Sequence, residues 1–379
     1  MVQGTFVKSK VKEQLVLGAD SGTVTVDLPT ANYLQGLKIR VQNTNGSTSN
    51  TGETIESAIT KIELTANGSV IYSATGENAR KFEHFDGGNF PPFFESQKAS
   101  AVQWASFPIK FGRTDFDKDV ILPSWKFSSL QLKVTWAFTD SATAGWTTSE
   151  TNAKMDVIAN YLFSQEKAVT PFLRKIEVKS KTVSSTGTEE VDLPVGAGNG
   201  AYRRIMMVVH ESGIEDGTDV DKYELLVNDS QRIVDERWDT SQIEDMTRYR
   251  LKTKKSVVLY KSNGGSYTSG VSRITAINGN VEDCCGILGV GSSTSAETIV
   301  LTLVTGLHTT GEPLAVGSAK NVHLQIESEV VPFATMIDLG TDDLADSFDV
   351  SKVSTMKIRY NQAAAGSTNT VVAEQLVVY

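Results

Sequence analysis

The chain has 379 residues, 40% hydrophobic and 21% charged, with a net charge of −9. That length favours two domains, and the balance is that of a folding globular protein, which excludes a disordered chain. Lysine and arginine are dispersed, so direct sequence-specific nucleic-acid binding is not expected, and no stretch offers the roughly 20 apolar residues of a transmembrane helix.

"MVQGTFVKSKVKEQ" lacks the apolar centre of a secretory signal, so synthesis in a cytoplasm is expected. Within it, Val7, Ser9 and Val11 fall on one face of an extended segment and Lys8, Lys10 and Lys12 on the other. Such lysines suit a sheet edge guarded against unwanted pairing, ahead of anionic lipid or nucleic acid. "GADSGTVTVDLP" is a strand that stops at Pro29. "KIELTANGSVIYSA" is a hairpin, with Ile62 and Leu64 alternating before an Asn67-Gly68 turn and Val70 and Tyr72 resuming after it. A short helix is predicted from Thr75 ("TGENARKFEHF"). "SSLQLKVTWAF" alternates through Leu132, Val134 and Trp136, and "MDVIANYLF" closes the half at Phe163. A short linker, Ser164 to Pro171, follows.

The second half repeats these landmarks. "KIE" (Lys175 to Glu177) matches "KVK" (Lys10 to Lys12), and "VSSTGTEEVDLP" ends as the first VDLP does. "KYELLVNDSQRIV" from Lys222 matches the hairpin, with Asn228-Asp229 making the same turn. "SQIEDMTRYRL" matches the helix and opens on a capping-box pair, Ser241 and Glu244. Met356, Ile358 and Tyr360 take the places of Leu132, Val134 and Trp136, and "VVAEQLVVY" closes at Tyr379. Between these landmarks the second copy carries about sixty extra residues, between Leu251 and Lys320; "TIVLTLV" inside them is too apolar to stay solvated, so β-hairpins are expected there.

No constellation of residues carries chemistry. His84, His210, His308 and His323 are scattered without metal-ligand spacing and read as surface or satisfied core residues. Cys284 and Cys285 are adjacent and read as reduced. "GAGNGA" (Gly196 to Ala201) resembles a dinucleotide fingerprint, but the β-type run "YRRIMMVVH" follows where a helix N-terminus is required, so it reads as a loop between strands. Glu215, Asp216, Asp219 and Asp221, and Asp342, Asp343, Asp346 and Asp349, have oxygens enough for Ca²⁺ but not EF-hand spacing, and read as solvated loops. Trp104, Trp125, Trp136, Trp146 and Trp238 could stack on sugars and read mostly as core or interface residues.

An all-β chain with tandem copies marked by "VDLP", "KIEL"/"KYEL" and "LQLKVTW"/"TMKIRY", a short helix after the same hairpin in each, and one enlarged loop resembles a known family. It is similar to the double jelly-roll major capsid proteins of tailless icosahedral double-stranded DNA viruses. The resemblance implies two tandem jelly-roll β-sandwiches, residues 1–165 and 170–379, with an outward tower-like insertion at about 252–320 and the arm Met1 to Gln14 facing inward. It also implies a non-enzymatic viral coat protein of the virion that forms a homotrimer of pseudo-hexagonal outline and tiles an icosahedral shell. Neighbouring capsomers are then the partners, with minor capsid or penton proteins and an internal membrane as further ones. No catalytic, cofactor-binding or metal-binding residue is assigned, and no cofactor. Because the last residues to Tyr379 read as an apolar closing strand, the long carboxyl-terminal membrane-facing helix of some members is not expected. The competing reading is an extracellular double jelly-roll carbohydrate-binding protein or glycan-acting hydrolase.

Overall fold

The computed structural model describes residues 2–47, 50, 54–138, 145–146, 152–196, 198–210, 219–261, 265–268, 274–281, 288–292, 298–303, 320–340 and 346–378. In chain order the first half forms β1 (Thr5–Val16), β2 (Ser21–Asp27), β3 (Tyr33–Thr44), helix α1 (Ile55–Ala58), β4 (Lys61–Ala66) and β5 (Ser69–Ala74). Helix α2 (Gly76–Gly87) and strands β6 (Phe93–Ser96), β7 (Val102–Lys110), β8 (Leu130–Ala137) and β9 (Lys154–Phe163) complete it. The strands pair in the orders β1-β9-β3-β7 and β2-β8-β4-β5, with β6 beside β7. Period-2 patterning drives this: Leu130, Leu132, Val134 and Trp136 of β8 and Met155, Val157, Ala159 and Tyr161 of β9 are buried in one shared core, while their neighbours point away from it.

The second half forms β10 (Phe172–Thr182), β11 (Gly187–Asp192), β12 (Ala201–His210), β13 (Val220–Val227), β14 (Gln231–Arg237) and helix α3 (Trp238–Tyr249). After the insertion come β21 (Ala334–Asp338), β22 (Phe348–Asp349), β23 (Met356–Gln362) and β24 (Thr368–Val377). Their orders, β10-β24-β12-β21 and β11-β23-β13-β14, reproduce those of the first half strand for strand. Each half is therefore a jelly roll, and the second has its own core around Ile205, Leu225, Ile358 and Val371. Even the irregularities repeat. Val11 in β1 and Val178 in β10 are bulged against the closing strand of their half, as are Gln35 in β3 and Arg203 in β12.

The repeated VDLP has a physical meaning. Val26 and Val191 point into the two cores, and Leu28 and Leu193 are buried beyond them. The Leu28 N–H donates to the Leu130 carbonyl at 2.8 Å, and the Leu193 N–H to the Met356 carbonyl at 2.8 Å. The prolines that follow have no N–H to extend the ladder, so the strand ends there in both halves.

Four local expectations need correction. Leu132 lies opposite Val26 and Ile358 opposite Val191, so Leu130, Leu132 and Val134 are the counterparts of Met356, Ile358 and Tyr360, two residues away from the sequence match. The bulges likewise pair Lys10–Lys12 with Glu177–Lys179 rather than with Lys175–Glu177. A two-residue slip leaves every side chain on its own face, so alternation could not detect either error. The first hairpin turns on two residues, Asn67 and Gly68 (φ 48° and 82°), whereas the second has a third loop residue, Ser230, after Asn228 and Asp229 (φ 50° and 67°). What the turns do share is an asparagine: Asn67 Oδ1 accepts from the Ser128 N–H at 2.9 Å, and Asn228 Oδ1 from the Ser354 N–H at 3.0 Å. Finally, α3 starts three residues before Ser241, whose buried hydroxyl lies 2.7 Å from the Tyr223 hydroxyl and so does not cap the helix.

The glycine-rich loop at 196–201 does lead into a strand, β12. At Gly200 (φ 73°) a Cβ would sit 2.4 Å from the Leu376 carbonyl oxygen, so close packing on the last strand is what requires glycine there.

The enlarged segment is β-structured. Between α3 and β21 lie β15 (Thr253–Lys261), β16 (Gly265–Thr268), β17 (Ile274–Val281), β18 (Leu288–Ser292), β19 (Thr298–Leu303) and β20 (Lys320–Ser328). β15 and β20 form an antiparallel stem from Thr253↔Ser328 to Lys261↔Lys320, β17 adds to β20, and β16-β19-β18 is a separate sheet. The stem also joins the first roll, because β15 runs parallel to β6. It leaves from the end where the β3–β4, β6–β7 and β8–β9 connections meet (Asn45 N–H to Ala101 O, Gly46 N–H to Gly145 O, Gln97 N–H to Val258 O). The amino-terminal residues lie at the opposite end, where Val2 bonds Lys118 and the β4–β5 turn bonds Ser129.

If the two VDLP sites are equivalent, Leu28→Ala and Leu193→Ala should each cost about 2–4 kcal/mol, the usual range for a buried leucine. Chemical denaturation of each variant checks this, and a neutral result for either would separate the halves energetically.

Candidate assembly interface

The surface at which the two rolls meet is organised by α2. Thr75 caps its start, accepting from the Asn78 N–H at 3.2 Å, and Gly88 (φ 68°) ends it in the left-handed conformation. Phe82 and Phe85 pack on the second roll, against Met206 and Val208 of β12, Ala334 and Met336 of β21 and Val372 of β24. Beside the helix, β5 pairs in parallel with β10 (Tyr72↔Lys175, Ser73↔Ile176), so one sheet runs from the first roll into the second.

Charges of the second roll hold both ends of α2. At the N-terminus, the Thr75 N–H and Asn78 Nδ2 donate to Glu177 Oε2 at 3.4 and 3.3 Å. At the C-terminus, Asp86 meets Lys175 Nζ at 2.5 Å and also Arg204. Glu374 completes the group, 2.6 Å from Arg203, 2.9 Å from Arg204 and 3.5 Å from Lys175. An anion at the helix start and cations at its end both suit the helix dipole. The Phe82 ring lies 4.5 Å from Lys175 Nζ and 5.2 Å from the Arg204 guanidinium, which adds a cation–π contact.

Glu177 is half-buried, but the side chains of Asp86, Lys175, Arg203, Arg204 and Glu374 are buried, which decides their energetics. Burial alone would raise the Asp86 carboxyl, but Arg204 and Lys175 outweigh it and hold the group well below the ordinary carboxylate range. Burial likewise opposes ionisation of Glu374, yet Arg204, Lys175 and Arg203 bring it down to about 2. The rolls are thus joined by a desolvated ion network to which the first roll contributes Asp86 and the second contributes Lys175, Arg203, Arg204 and Glu374.

Among the described residues, three other surfaces have no such cover. β1 pairs only with β9, so Lys8, Lys10 and Lys12 do lie on an edge strand, and all three are exposed. β14 pairs only with β13 and forms another edge. On α3, Ile243 is 54% exposed, and Glu244 and Thr247 are exposed beside it.

The residues weighed for chemistry do not converge. His84 is fully buried and pushed down to about 4, because desolvation outweighs a backbone contact from Lys252. His323 is exposed on β20 and His210 ends β12, while His308, Cys284 and Cys285 lie outside the described residues. Asp219 is buried and Asp221 and Asp346 are exposed; Glu215, Asp216, Asp342 and Asp343 are outside the described residues. Asp349 accepts from the Ser351 N–H and hydroxyl, each at 2.9 Å, which lowers its carboxyl and marks it as a local cap. Among the described residues, no three His, Cys, Asp or Glu side chains are grouped as metal ligands would be, and no helix is long and apolar enough to cross a membrane. Trp136, Trp146 and Trp238 are buried; Trp104 lies under Arg40 at 4.9 Å, and Trp125 packs edge-on to Tyr33.

The network of Asp86, Lys175, Arg203, Arg204 and Glu374 was not anticipated from the sequence. Its signal was present as charge inside apolar runs, "YRRIMMVV" and "VVAEQLVV", where isolated charges need partners.

No protein-family model matches the chain, and no curated protein matches it in sequence. Solved structures do. The major capsid protein of STIV, the Sulfolobus turreted icosahedral virus, superposes with a TM-score of 0.61 at 10% identity, covering 99% of this chain and 97% of that one. Major capsid protein P2 of bacteriophage PM2 gives 0.53 at 10% identity, covering 99% and 98%. A chain of the PBCV-1 virus capsid gives 0.53 at 9% identity, covering 100% and 94%. The likeness spans whole chains and is one of fold. The protein is a double jelly-roll protein, with the architecture of these capsid proteins.

Removing Asp86 would leave Lys175 and Arg204 buried with less counter-charge, so Asp86→Asn should cost about 3–5 kcal/mol. Because Asp86 and Glu374 are held below their unfolded values near 4, their contribution is complete above about pH 4.5 and is lost as pH falls through the folded values. Melting temperatures between pH 5 and 2 should fall more steeply for the wild type than for Asp86→Asn.

Proposed function

We propose that this protein is the major capsid protein of an icosahedral double-stranded DNA virus, with self-association as its function and the virion as its location. The observation that carries this reading is the pair of like-connected jelly rolls joined by one continuous sheet in one chain, with an architecture shared end to end with capsid proteins. A homotrimer of such chains offers six similar sides and so a pseudo-hexagonal tile. Residues 1–165 and 170–379 form the two rolls, and 252–320 form a tower directed outward, with the amino-terminal end facing inward. Neighbouring capsomers are the principal partners, and minor capsid or penton proteins and an internal membrane are further ones.

A non-enzymatic role is supported by how the buried charge is used: Asp86, Lys175, Arg203, Arg204 and Glu374 are paired with one another across the junction of the rolls, and the cavity that Asp86, Arg203 and Arg204 border is lined by these engaged groups. The alternative, an extracellular carbohydrate-binding protein or glycan-acting hydrolase, has no comparable structural support.

Light scattering coupled to size exclusion, with electron microscopy, should find particles of three times 41.1 kDa, or shells built from them. Stable monomers retained on a glycan column would overturn the reading. Replacing residues 262–312 with a short Gly/Ser linker should leave a folded trimer; insoluble protein would place that segment in a core instead.

A further inference from the structure

We infer that the outward face of α3 and the free edge of β14 form a seat for the first roll of a second copy of this chain, led by its strand β1. The contact repeats between chains the one that joins the two rolls within a chain. The inference rests on the self-assembly reading above and names the surfaces that carry it.

The internal duplication supplies the correspondence. α2 and α3 are each 12 residues long, follow equivalent strands, and end in a left-handed residue, Gly88 (φ 68°) and Arg250 (φ 50°). Aligned on those ends, Lys81, Phe82 and Phe85 correspond to Ile243, Glu244 and Thr247. The first three are buried by the second roll, and the last three are exposed. The same holds for the strands. Val234 of β14 lies opposite Leu225 as Tyr72 of β5 lies opposite Leu64, and Lys8 of β1 lies opposite Asn160 as Lys175 of β10 lies opposite Glu374. Tyr72 pairs with Lys175 inside the chain, so Val234 would pair with Lys8 of the next copy. Both strands have an edge to offer, since among the described residues β14 pairs only with β13 and β1 only with β9.

Charge identifies the occupant. Within the chain, α2 is covered by Met206 and Val208 of β12 and Val372 of β24. By register, their counterparts on the first roll are Lys38, Arg40 and Ile158. Lys38 is exposed, and the Arg40 side chain is 41% exposed with Asp156 3.9 Å away. That sheet face carries Lys38 and Arg40 at the positions where the second roll carries Met206 and Val208. α3 changes in the complementary sense: Phe82, which stacks on Lys175, is replaced by Glu244, which would face Lys8, and Asp239 is exposed at the helix start. The contact that is permanent within the chain buries apolar side chains beside a closed ion network, and the one that forms only on assembly presents solvated charge, so the separate chain stays soluble. Because the two surfaces differ, the contact is head-to-tail and continues from copy to copy until the ring closes.

The test uses the full chain and measures its assembly constant by sedimentation. Glu244→Lys, or Lys8→Glu, should weaken assembly about tenfold or more through like charges at the contact, and the double variant should recover most of the loss. Ile243→Asp should weaken assembly independently of that pair. With Cys284 and Cys285 changed to serine, Lys8→Cys combined with Val234→Cys should give disulfide-linked chains on mild oxidation, since paired strands lie within disulfide reach. Circular dichroism checks that each variant is folded. A trimer that forms as well in Glu244→Lys and Ile243→Asp, or that stays unlinked when Lys8→Cys and Val234→Cys are combined and oxidised, overturns the inference and leaves the capsid reading standing. Wild-type protein that remains monomeric at every concentration overturns both.

Discussion

The clamp on α2 is the constraint from which the rest of the architecture follows. A 12-residue helix is short to be stable by itself, and here it is buried almost all round, with Glu177 at its start and Lys175 and Arg204 at its end. Those charges stand on strands of the second roll, so the helix cannot settle without fixing the angle between the rolls. Desolvation makes the arrangement selective: with Asp86 displaced, Lys175 and Arg204 would lose their counter-ion from the first roll inside an apolar interface. Under the capsid reading proposed above, a fixed angle matters because small errors of angle in one tile would accumulate across its neighbours.

Duplication then has an unequal outcome. The two rolls share strand order, bulges, the VDLP stop and the asparagine that holds the hairpin turn to the next strand. They differ on the outer sheet face, where Met206 and Val208 stand in the second roll and Lys38 and Arg40 in the first. The shared features are those a jelly roll needs to close. The differing ones follow from what covers each face, since an apolar face must be covered while the chain is still alone and a charged one can wait.

Alternation and turn chemistry made much of the fold legible. The strands around Leu64 and Leu132, the Asn67 turn and the loop at Gly196 were readable because each is decided within a few residues. Register was less legible, and the matches of β8 with β23 and of β1 with β10 were each two residues out, since a slip of two preserves the burial pattern. Ser241 and Glu244 fitted a capping box, but Trp238 is buried at the base of the helix and draws its start earlier. The interface was the least legible part. Asp86, Lys175, Arg204 and Glu374 come from four elements, and nothing local marks them as partners.

The sequence by itself determined that the chain is β-rich, built twice on one plan, with an enlarged second half and no recognisable catalytic motif, because periodicity, turn residues and repeats are properties of neighbours along the chain. Only the tertiary structure decided which edges are paired, which helix face is covered and where the buried charges meet, because those depend on segments far apart in the chain coming into contact.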